Sequence, residues 1–209
     1  MMFPFGRKSK FETTLHELKA AILGQTIVFS TSVAEEFDGI IARQMFGLNS
    51  QEQLYPRLFS NGPPQAATTH LNQLTLSIGA LAFYLHALDR LLFRKHDEAL
   101  REAVFDPTAV SLSTTFAEML AKQNIETTAS YTLHGIQGLG LKYAEAPNLV
   151  GSSPQDQNSA VWLAATAIAR DANYPISILI IAISVKLIDG LVAINLANRI
   201  KILEAALQT

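Results

Sequence analysis

The chain has 209 residues, 49% of them hydrophobic and only 16% charged, with a net charge of −2 and a sequence pI near 6.2. That balance supplies no positive field for a nucleic-acid backbone, so nucleic acid is excluded as an expected partner. The lack of cysteine removes disulfides, thiolate metal sites and cysteine nucleophiles together.

In chain order, residues 1–9 read as a flexible basic N-terminus ahead of one helical domain spanning 10–209. Phe3, Phe5, Arg7, Lys8 and Lys10 offer a weak membrane-surface signal, which is not the favoured reading. No apolar run follows them, so no signal peptide is predicted and a cytoplasmic location is expected. The first helix begins near Lys10. Leu15, Leu18, Ile22, Phe29, Val33, Phe37, Ile41 and Met45 recur at three- and four-residue steps until Gly47, the natural stop. Thr26 to Thr31 is β-prone, but the flanking period favours helix. Asn49 to Pro64 reads as a connection rich in turn residues.

The second helix is predicted from Pro64 to Lys95, with Leu74 to Phe93 apolar almost all round, as a central helix would be. A short charged piece covers Asp97 to Val104. Asp106-Pro107 then reads as cap and first turn of a helix reaching Gln123. Another helix runs from Glu126 to Ala144, rich in Ser, Thr and Gly. After a loop over 145–153, Ser153-Pro154 is predicted to open a helix to Ala172. Asn173-Tyr174-Pro175 restarts the chain into a last helix ending at Leu207. The expected class is an all-α single-domain bundle of about six or seven helices, two of them long and strongly apolar.

The last helix is the test of a membrane reading. Thirteen of the 21 residues from Ile176 to Leu196 are Ile, Leu or Val. They favour insertion by about 4 to 8 kcal/mol, whereas Lys186 and Asp189 oppose it by roughly 2.5 to 3.5 kcal/mol each. The sum is near zero, so burial against protein is the expected use. Three residues apart on one face, Lys186 and Asp189 can pair within the helix or line a pocket.

His86, Asp89 and Arg90 form the constellation closest to chemistry. They sit in the most apolar helix, where Asp89 is placed to reach the His86 ring and set its tautomer, and Arg90 to reach solvent. The alternative reading is a satisfied structural pair. Glu35, Glu36 and Asp38 read as a solvated acidic face, and the Glu-x-x-His pairs of a di-metal bundle are absent from the sequence. His134-Gly135-Ile136-Gln137-Gly138-Leu139-Gly140 has the wrong glycine spacing for a phosphate loop. It reads instead as small residues at a helix crossing.

No metal or cofactor is expected, and no catalytic residue is assigned. The leading functional expectation is a non-enzymatic helical protein that acts by association with itself, a dimer being favoured, or with a protein partner. The alternative is a bundle that binds a small apolar ligand, or does acid–base chemistry, around His86 and Asp89. Arg90, Lys186 and Asp189 complete the candidate ligand-binding set.

Overall fold

A computed structural model describes residues 10–45, 47–48, 65–95, 97–122, 129–153, 155–174 and 177–207. The basic N-terminus 1–9 and the connection from Asn49 to Pro64 lie outside these residues, as do His96, Pro154 and Pro175. The class is all-α, as the periodicity predicts.

Helix α1 spans Lys10–Val33, and its β-prone segment is helical throughout. Thr26 Oγ1 donates to Ile22 O at 2.9 Å and Ser30 Oγ to Ile27 O at 3.0 Å, so the hydroxyls bond back into their own helix. Burial of Ile22, Phe29 and Val33 against the core holds that conformation over local preference. The chain then widens into two π-helical turns, Ala34–Asp38 and Ile41–Met45. Gly47, at φ 61°, ends the run, and Leu48 N donates to Ala42 O at 2.8 Å.

Helix α2, Gln65–Phe93, is the centre of the bundle and is packed by α1 and by four later helices. Leu81, Phe83, Tyr84, Leu85 and Leu88 on it are all buried. Helix α3, Glu98–Ala121, starts earlier than the sequence implies. Asp97 Oδ1 accepts from Leu100 N at 2.9 Å and caps it. Asp106-Pro107 therefore does not open a helix; Pro107 lies inside one. Helix α4 spans Ala129–Ala144.

Helix α5, Ala160–Asp171, also departs from expectation, because its cap is Ser159 rather than Ser153. Ser159 Oγ accepts from Trp162 N at 3.3 Å and donates to Asp156 O at 2.7 Å. The last helix is two. Asn195 takes a left-handed φ of 54° and separates α6, Ser177–Ile194, from α7, Leu196–Leu207. A lone asparagine accepts that conformation more readily than most side chains. Arg199 Nε, donating to Ile194 O at 2.9 Å, covers a carbonyl freed by the break.

Buried side chains from every helix gather into one cluster. Close approach is specified at Gly190 of α6, where a methyl group would overlap Tyr84 Oη on α2. Among the described residues two stretches are long and apolar enough to cross a membrane by length and composition alone. In Gln73–Phe93, 67% of the most apolar window is buried within the protein; in Leu179–Leu207 the share is 39%.

Candidate functional site

Helical spacing builds a cleft between α2, α3 and α4. From α2 come Ala82, Leu85, His86 and Asp89, and from α3 Arg101, Phe105 and Ala109, each set repeating at three or four residues on one face. From α4, Leu133, Ile136, Gln137 and Gly140 close the opposite side. The space is about 460 Å³, within the range of small-molecule sites, and its walls are mostly apolar. Gly140 is part of the reason it is open: a Cβ at that position would meet no neighbouring atom.

His86 and Asp89 both line this cleft, but not as a hydrogen-bonded pair. Asp89 Oδ1 instead accepts from Arg101 Nε at 2.6 Å, across the α2–α3 junction. The Arg101 guanidinium also sits 5.6 Å from the Phe105 ring centroid. That bond to Asp89 raises the Arg101 pKa above its ordinary value, so the guanidinium stays charged. His86 is thereby left alone. Its Nε2 is buried with no hydrogen-bond partner among the described residues, and the ring packs edge-on to Tyr143 at 5.9 Å. Burial holds the imidazole below its ordinary value near 6.5; Arg90 lowers it further and Asp89 pulls the other way. A neutral imidazole offers one donor and one acceptor.

Arg90 does not reach freely into solvent and does not line the cleft. Its Nη2 donates to Pro147 O at 2.5 Å, tying α2 to the loop after α4, and its Nη1 is buried without a partner among the described residues. The second sequence pair also comes apart. Lys186 Nζ lies 2.7 Å from Glu36 Oε2 and 5.8 Å from the Phe37 ring centroid, so it pairs with the π-helical segment and not with Asp189. Asp189 is exposed. Its charge, second to burial, helps raise the pKa of the Tyr84 phenol. The acidic face at 35–38 is only partly solvated. Asp38 is wholly buried and accepts a hydrogen bond from Tyr174 Oη at 2.7 Å.

The structure thus unites two of the five candidate residues, His86 and Asp89, in one site, and distributes Arg90, Lys186 and Asp189 elsewhere. Sequence reasoning missed Arg101 and Phe105, since Asp97 to Val104 reads as a short charged connection and not as the first turns of α3. It also took the α4 glycines as a helix crossing. Only Gly135 comes near another helix, toward Ile78, while Gly140 faces open space. Comparison with family models, with curated proteins and with solved structures finds no match for this chain.

Proposed function

We propose that the chain binds a small, largely apolar molecule in the α2–α3–α4 cleft, around His86 and Asp89. The observation that carries this reading is an apolar-walled space of about 460 Å³ that His86 and Asp89 both line. Binding is favoured over catalysis by the lining itself. It holds no hydroxyl or amine nucleophile, and Asp89 is engaged with Arg101 rather than orienting His86 as a base.

Gly140→Leu tests the site directly, since the new side chain enters the cleft and not a packed contact. Nile red should show saturable fluorescence enhancement with the wild-type protein. Its affinity should fall at least tenfold in Gly140→Leu while the melting temperature is retained. Equal binding by both proteins, or no saturable binding by either, would rule the reading out.

A second reading, self-association, is favoured by one observation. The C-terminal apolar stretch is less than half buried, and Val192 on it is 75% exposed. Surfaces of this kind in soluble proteins are commonly covered by another subunit. The two readings are compatible, because the cleft is walled by α2, α3 and α4 and the exposed valines lie on α6.

A further inference from the structure

The charges around the cleft go further than its walls and indicate what kind of head group a ligand carries. Among the described residues Arg101 is the single cation lining it, and it is already occupied. Its Nε is held by Asp89 Oδ1 at 2.6 Å, and its Nη1 lies 3.5 Å from Glu98 Oε1. Asp106 on the same helix is close enough to act on it as well. Three carboxylates therefore surround one guanidinium. Asp89 lines the cleft and is bonded through one oxygen only, which leaves Oδ2 as an acceptor with no partner among the described residues. An incoming anion would have to compete with Asp89 for Arg101 while facing Glu98 and Asp106. An incoming cation meets a carboxylate oxygen that is part-buried and unspent, and hydrogen bonds to charged groups are the stronger kind. Arg90, the nearest further cation to His86, is directed to Pro147 and stands outside the lining.

We infer that the ligand is a protonated primary or secondary amine on an apolar body, with its ammonium at Asp89 Oδ2, its body against Leu85, Leu133 and Ile136, and His86 bonding a further polar group where one is present. The inference rests on the cleft being the binding site, as proposed above. Arg101 then acts as a positioning residue, fixing the Asp89 carboxylate by taking one of its oxygens.

Three probes of matched size separate the possibilities: 2-phenylethylamine, 2-phenylethanol and 3-phenylpropanoate, titrated by calorimetry at pH 7.5 into the full chain. The amine should bind tightest, the alcohol roughly tenfold more weakly and the carboxylate weakest, as expected for one charge-assisted hydrogen bond. Asp89→Asn should bring the amine down to the level of the alcohol and leave the alcohol unchanged. Where Asp89→Asn does not fold, Glu98→Gln combined with Asp106→Asn should reduce the amine-to-alcohol ratio severalfold, since both side chains are exposed. A carboxylate that binds as well as the amine, or an amine affinity untouched by these variants, overturns the inference. In that case alcohol binding that Gly140→Leu abolishes still sustains the cleft as a binding site. Failure of all three probes to bind overturns both readings.

Discussion

Helix α2 and the stretch formed by α6 and α7 are alike in composition and opposite in surroundings. Both are long and apolar enough for a membrane, yet 67% of the α2 window is buried and only 39% of the C-terminal one. The difference lies in position within the bundle. Five helices pack on α2, so its apolar residues are satisfied inside the chain. Helix α6 packs on α1 and α5, and Val185 and Val192 are left exposed. Their ionisable residues divide in the same way. Those of α2 bring His86 and Asp89 to a cleft, while Lys186 of α6 is spent on an ion pair with Glu36.

The largest difference between the two regions is expected from a pair of truncations. Leu88→Ala on α2 removes a fully buried side chain and should cost about 3 kcal/mol, within the range of roughly 2 to 5 kcal/mol for such changes. Val192→Ala on α6 should stay within about 0.5 kcal/mol in chemical denaturation at low protein concentration. If a second copy covers α6, Val192→Asp should also shift the sedimentation coefficient toward that of a monomer. Equal losses from the two truncations would show that α6 is as enclosed as α2.

A smaller effect is expected where the two regions meet. Gly190→Ala should destabilise the fold by about 1 to 3 kcal/mol through overpacking against the buried Tyr84, despite the better helix propensity of alanine. An unchanged denaturation midpoint would mean that α6 does not press on α2 as described.

The smallest effect is a pH dependence that belongs to α2 alone. Burial lowers the His86 pKa in the folded chain, so the unfolded chain takes up that proton first. The resulting contribution to stability is fully present above the ordinary value near 6.5 and is lost as the pH falls below it. His86→Gln should flatten that part of the stability profile between neutrality and mild acid, read by denaturant midpoints at each pH. A profile of unchanged slope would show that His86 is not the group responsible.

The helices were legible because a 3.6-residue period survives any packing arrangement. Their ends were less so, and each error has a physical source. Asp106-Pro107 has the residues of a helix start, but the Asp97 cap nine residues earlier had already begun α3, and a proline can be carried inside a helix whose other bonds are made. Asn195 interrupts an apolar run by a single left-handed residue, and one polar residue in such a run does not by itself reveal a change of backbone conformation. His86 and Asp89 stood out as ionisable residues in an apolar helix. Their partnership did not, because Arg101 approaches from the next helix and outcompetes the imidazole for the carboxylate.

Pro107 has a consequence for the wall of the cleft. A proline donates no amide hydrogen, so the carbonyl one turn before it, at Ala103, lacks its usual helical bond. That turn joins the part of α3 bearing Arg101 and Phe105 to the part bearing Ala109. The wall of the cleft is thus weakest along its own length, between the charged rim and the apolar interior. On the reading proposed above, a bound molecule would lie against both sides of that turn, Phe105 on one and Ala109 on the other.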